Sequence, residues 1–121
     1  MLGNCSHAQL NELIGNARAS IITPCWDEPF GLVVAESLSC GTPVAGISRG
    51  ALPLILDEQT GSLTSSNNPV ELAKCIIEAV LLNRSVCRKR AQTELNVERM
   101  VDKYEKLFED TIISNKVESL I

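Results

Sequence analysis

CWDEPFGLVVAESLSCGTPV, residues 25–44, sets Glu28 and Glu36 eight positions apart around a Pro29-Phe30-Gly31 turn where an apolar run begins. Val33 and Val34 suit a strand as well as a helix. Gly41 followed by Thr42-Pro43 is a helix stop signal, and it predicts about ten helical residues over 31–40. Before this helix, Ala19-Ser20-Ile21-Ile22-Thr23 is short, rich in β-branched residues and closed by Pro24, which predicts a buried strand. After it, residues 43–47 predict a second. Short apolar strands alternating with helices imply βα units. The expected fold is therefore α/β, a Rossmann-like parallel sheet with flanking helices on both faces.

The flanks extend the same alternation. Ser6 with Gln9 three positions later is a capping-box pattern, and Leu10, Leu13, Ile14 and Ala17 recur at helical spacing, predicting a helix over about 7–18. Downstream, a short helix at 51–56, a turn at 57–61 and a brief strand at 62–64 are expected. Asn68 as cap with Pro69 at the first helical position starts a helix over about 70–83, with Leu72, Ile76, Ala79 and Val80 on one face. Residues 84–113 mix charges with Val97, Val101, Leu107 and Phe108, predicting one or two amphipathic helices. With 121 residues and no internal repeat or low-complexity linker, the chain reads as a single unit over 1–121 that buries roughly two thirds of its unfolded surface.

Composition narrows the partners. An apolar fraction of 45% with 21% charged residues is ordinary for a soluble protein, and a formal charge of −4 argues against a nucleic-acid footprint. The one basic cluster, Arg84, Arg88, Lys89 and Arg90, reads as a solvated helix face in preference to a phosphate patch. Cys5, Cys25, Cys40, Cys75 and Cys87 include no C-x-x-C pair, and His7 is the only imidazole, so no metal site is expected. An odd count spread through apolar segments reads as reduced thiols acting as small hydrophobes, which points to a cytoplasmic location. No signal-peptide pattern opens the chain, and no apolar run is long enough to span a membrane.

The acid pair gains meaning from where ligands sit in parallel α/β folds, beyond the carboxyl ends of the strands. Loop 24–31 is such a place. The amides of Phe30, Gly31 and Leu32 are expected as unsatisfied donors at the helix start, carrying its positive dipole end, which suits a phosphate or diphosphate. Glu28 precedes the helix, and Glu36 lies about five residues inside it, roughly 7–8 Å along the axis from its start. They flank the anion rather than fill its place. Carboxylates accept hydrogen bonds from hydroxyls, and a nucleotide sugar carries hydroxyls on both sides of its diphosphate. Spacing alone leaves open a loop carboxylate favoured by the helix dipole at Glu28 and a solvated charge at Glu36.

Those residues resemble a family. Glu28-Pro29-Phe30-Gly31-Leu32 through Glu36 to Cys40-Gly41-Thr42-Pro43-Val44 is similar to the E-x-F-G-L-x-x-x-E-A-x-A-C-G-T-P-V pattern of the family 4 retaining glycosyltransferases of the GT-B fold. RGALPLILDEQTG, residues 49–61, resembles that family's R-G-x-x-P-E-x-x-x-D-G-x-T-G, with Leu54 where the family usually has Glu. The resemblance implies the C-terminal half of a GT-B fold, a truncated nucleotide-sugar-binding domain beginning inside the donor half. It implies that Glu28 lies by the transferred hexose as the candidate catalytic acid, that the amides of Phe30, Gly31 and Leu32 meet the diphosphate, and that Glu36 holds the ribose. Arg49 and Gly50 fall in a loop resembling one that lines the cleft.

The implied activity is transfer of a hexose from a UDP- or GDP-linked donor to an acceptor hydroxyl with retention, with no metal or other cofactor, when the chain is part of a complete enzyme. The implied partners are the nucleotide sugar and an N-terminal acceptor domain. The alternative is a catalytically inactive nucleotide-binding or protein-interaction module, and an open sheet edge with apolar faces at residues 1–5 and along the first helix would favour self-association.

Overall fold

The computed structural model describes residues 3–118. Ser6 opens α1 (His7–Asn16) as the sequence predicts, its hydroxyl accepting from the Gln9 amide at 3.3 Å while Gln9 Oε1 accepts from the Ser6 amide at 2.9 Å. This satisfies two donors that the first helical turn leaves without partners. β1 (Ser20–Ile22), α2 (Leu32–Ser39) and β2 (Val44–Ile47) form the expected βαβ unit, and α3 (Leu52–Ile55) and β3 (Gly61–Thr64) follow. The strands are parallel in the order β1-β2-β3, with Ser20 beside Val44 and Ala45 beside Ser62. Asn68 caps α4 (Pro69–Ala79) by accepting from the Val70 amide at 2.9 Å, with Pro69 at the first helical position. The final third forms two helices, α5 (Arg84–Glu94) and α6 (Val97–Glu118).

Alternation along β2 divides the core. Val44 packs with Val34 and Leu38 of α2, Leu52 and Ile55 of α3, and Cys87 and Ala91 of α5. Its neighbour Ala45 points the other way, onto Cys75 and Ala79 of α4. Helices thus cover both faces of the central strand. The expectation of a buried β1 is corrected: Ile21 is 55% exposed. β1 is a sheet edge, with no strand along its other side among the described residues. A β-branched run fits a pleated surface whether or not a neighbour covers it, so composition could not separate the two cases.

The basic cluster does more than face solvent. Arg84, Arg88 and Lys89 are exposed as expected and Arg90 is half-buried, yet each of the three arginines also reaches the carboxyl end of a different helix. Arg84 donates to the carbonyls of Gly15 and Ala17 at 2.6 Å each, at the end of α1, and to Thr42 Oγ1 at 3.1 Å. Arg88 donates to the Ser39 carbonyl at 2.6 Å, at the end of α2, and Arg90 Nε to the Ile55 carbonyl at 3.1 Å, at the end of α3. Helix ends leave carbonyls unpaired and carry partial negative charge, so three cations on one helix tie α5 to three others. Replacing Arg84 with Ala should cost about 1–2 kcal/mol, read as a lower denaturation midpoint; Lys should restore little, since a point charge does not reproduce the forked donor.

Arg90 Nη1 also pairs with Asp57 Oδ2 at 2.7 Å. Partial burial pushes the Asp57 carboxyl up, but the Thr60 hydroxyl, the Gln59 amide and the Arg90 charge together outweigh it, and its pKa lies below the ordinary value of 3.8. A depressed carboxylate stabilises fully above its unfolded pKa and loses that contribution as pH falls through the folded value. Thermal midpoints should therefore drop more steeply below pH 3.8 in the native chain than in Asp57→Asn.

The cysteine reading holds in part. All five are free, and Cys75 and Cys87 are buried as small hydrophobes, with burial pushing the Cys87 thiol up. Cys5 and Cys25 lie in loops and are exposed. Of the predicted apolar opening, Met1 and Leu2 lie outside the described residues, and residues 3–5 are exposed. In α6 the apolar positions Val97, Val101, Tyr104, Leu107, Phe108 and Ile112 are all exposed. Among the described residues no helix is long and apolar enough to cross a membrane, and no group of His, Cys, Asp and Glu could hold a metal ion.

Candidate functional site

The loops that follow β1 and β2 meet at the carboxyl end of the sheet. Gly31 ends the first of them as the N-cap of α2, with a φ of 78° that L side chains rarely adopt, and it offers no side-chain cap. The amides of Leu32 and Val33 donate to no acceptor among the described residues, so the first turn of α2 presents open N–H groups. The Gly31 amide differs from the expectation. It donates to Glu28 Oε1 at 3.4 Å, so the Glu28 carboxylate leans over the helix start instead of only flanking it. A negative group at a helix N-terminus is what the dipole favours when no other anion is present.

Glu28 is half-buried, and its backbone is held by the second loop. The Ala51 amide donates to the Glu28 carbonyl at 2.7 Å. Gly50, at φ 56°, lies so close that a Cβ there would overlap the backbone N and O of Glu28. Arg49 Nη1 donates to the Pro24 carbonyl at 3.4 Å, tying the same two loops once more. The structure therefore brings Glu28, Gly31, Arg49 and Gly50 into one cluster. Glu36 stands apart on α2, one turn beyond Leu32 on the same helical face, half-buried and with its carboxylate making no hydrogen bond among the described residues.

Phe30 and Leu32 are exposed, Leu32 to 66%, and with Leu54, Met100 and Tyr104 they line a groove of about 540 Å³ running from α3 to the first turns of α6. One member of the cluster has no counterpart in the sequence reading: the Trp26 indole N–H donates to Glu28 Oε2 at 3.2 Å. A tryptophan two residues before the candidate acid was a legible signal, but only the loop's fold turns the indole back onto the carboxylate.

Residues 1–97 match the family described as Glycosyl transferases group 1. The chain belongs to that family. Among similar proteins, the D-inositol 3-phosphate glycosyltransferase of Corynebacterium jeikeium is 37% identical over 73 residues, covering 58% of this chain and 17% of that protein. The enzyme of the same name from Mycobacterium tuberculosis is 38% identical over 72 residues, 59% of this chain and 15% of the relative. That of Streptomyces bingchenggensis is 37% identical over 59 residues, covering 48% and 13%. The chain therefore spans less than a fifth of the length of the curated relatives it matches. Membership of a group 1 glycosyltransferase family and a three-stranded parallel α/β fold agree with the expectation drawn from residues 25–44.

Proposed function

We propose that the chain is the donor-binding region of a retaining glycosyltransferase, taking a UDP- or GDP-linked hexose and, in a complete enzyme, delivering the hexose to an acceptor hydroxyl. The observation that carries this reading is the start of α2, where the Leu32 and Val33 amides are open, no side chain caps the helix, and a half-buried carboxylate lies alongside. Open amides at the positive end of a helix favour the diphosphate without a metal ion. Glu28 takes the hexose side as the candidate catalytic acid, and the uncommitted Glu36 carboxylate takes the ribose hydroxyls. The Phe30 and Gly31 amides complete the diphosphate contacts once Glu28 releases the latter. Arg49 and Gly50 form the facing loop. The relatives' name pairs a glycosyltransferase with D-inositol 3-phosphate, which is compatible with a hydroxyl acceptor.

Calorimetric titration with UDP, GDP and their glucose and mannose conjugates tests the reading. Binding of one nucleotide class supports it, and no binding across the panel sinks it. Transfer by this chain alone should be weak or absent, because a site open on one side neither excludes water nor orients an acceptor. A second reading, an inactive nucleotide-binding or protein-interaction module, is favoured by the uncovered apolar stripe of α6, a surface suited to an acceptor domain or to self-association. Nucleotide binding by this chain, with transfer still absent after the upstream domains of a full-length relative are fused to it, would favour that module.

A further inference from the structure

Glu28 is the one acid of the site whose carboxylate already has two donors. Oε1 accepts from the Gly31 amide at the long distance of 3.4 Å, and Oε2 from the Trp26 indole at 3.2 Å. The two contacts have different fates when an anion arrives. A diphosphate at the start of α2 is a better acceptor for the Gly31 amide than a stretched carboxylate contact, so it takes that donor and sets two like charges side by side. Repulsion then drives the Glu28 side chain outward, and its rotamer freedom in solvent adds to the drive. The backbone cannot follow, since Gly50 and Ala51 hold it. The remaining restraint on the carboxylate is the indole N–H.

Trp26 is otherwise hard to account for. It is the only tryptophan of the chain, and it is 65% exposed, so burial of its rings contributes little to the fold. An indole nitrogen is a donor only, with no lone pair to attract a competing proton, and its direction is fixed by a rigid ring. Such a group can hold one carboxylate oxygen while leaving the other free.

From these contacts we infer that Trp26 is a positioning residue for Glu28: its indole N–H retains Oε2 so that Oε1, freed from the Gly31 amide by the donor's diphosphate, faces the transferred hexose. The inference rests on the donor-site reading above. It separates the sugar from the nucleotide, because Trp26 acts only through an acid that meets the hexose.

The test uses the full 121-residue chain and calorimetry with UDP-glucose, GDP-mannose, UDP and GDP. Trp26→Phe keeps an aromatic ring and removes the N–H. It should weaken binding of the preferred nucleotide sugar about tenfold while leaving the bare nucleotide unchanged. Glu28→Ala should show the same selective loss, and the double variant should lose no more than Glu28→Ala alone, since Trp26 has nothing to hold without the acid. Native tryptophan emission should shift on binding the nucleotide sugar. Trp26→His, which keeps a ring N–H, should recover part of the loss. Unchanged sugar-nucleotide affinity in Trp26→Phe overturns the inference, as does an equal loss for bare nucleotide or additive losses in the double variant. Should Trp26→Phe fail to fold, additive losses between Trp26→His and Glu28→Ala overturn it instead. Absence of binding by the native chain removes the site reading and this inference together; binding by the native chain with an unaffected Trp26→Phe removes this inference alone.

Discussion

Gly50→Ala is expected to destabilise the chain by about 2–5 kcal/mol and to abolish nucleotide binding, the largest effect of any single change at the site. Two costs combine. A residue with a Cβ at φ 56° meets the left-handed penalty of about 1–2 kcal/mol, and the new methyl overlaps the backbone of Glu28, where forced displacement costs about 1–3 kcal/mol more. The displaced backbone is the one that receives the Ala51 amide and carries the candidate acid, so stability and binding fall together. Gly15→Ala is the control. Gly15 lies in α1 with open space where a methyl would stand, and alanine there should stabilise by about 0.5–1 kcal/mol. Equal denaturation midpoints for Gly50→Ala and the native chain would show that the two loops are not locked to each other.

Glu36→Ala is expected to leave the fold intact and weaken UDP or GDP binding by about 10- to 100-fold, as loss of a charged acceptor for ribose hydroxyls should. Its carboxylate makes no hydrogen bond among the described residues, and alanine is a good helix former, so the stability change should stay within about 0.5 kcal/mol. Glu28→Ala differs in kind, because it should weaken the nucleotide sugar and spare the bare nucleotide. Calorimetry on the two variants separates an acid that holds ribose from one that meets hexose. Native affinity in Glu36→Ala would leave that residue as a solvated helix charge.

The secondary structure was legible where a local rule has one physical solution. Ser6 with Gln9, and Asn68 with Pro69, have little to do but start helices, and Gly41 before Thr42-Pro43 has little to do but end one; each stands within a residue or two of its expected place. The exposure of Arg84 and Arg88 was legible, but their helix-end partners were not, because charge on a helix says nothing about what lies opposite. Arg84 finds its partners 67 and 69 residues away in the chain, at carbonyls whose need is set by where α1 ends. The same limit explains β1, whose apolar composition is blind to whether a neighbouring strand is present.

At the site, residue type and spacing were enough to mark the candidate residues: two carboxylates, a glycine at a helix start and the family pattern that joins them. The chain carries those features locally. Folding had to supply the rest, namely that Glu28 leans over the amide of Gly31, that Trp26 turns back to hold it, and that Gly50 pins its backbone from another loop. Each of those arrangements follows from two segments sharing one small space, and shape at that scale is settled by packing among distant residues, which no spacing along the chain encodes.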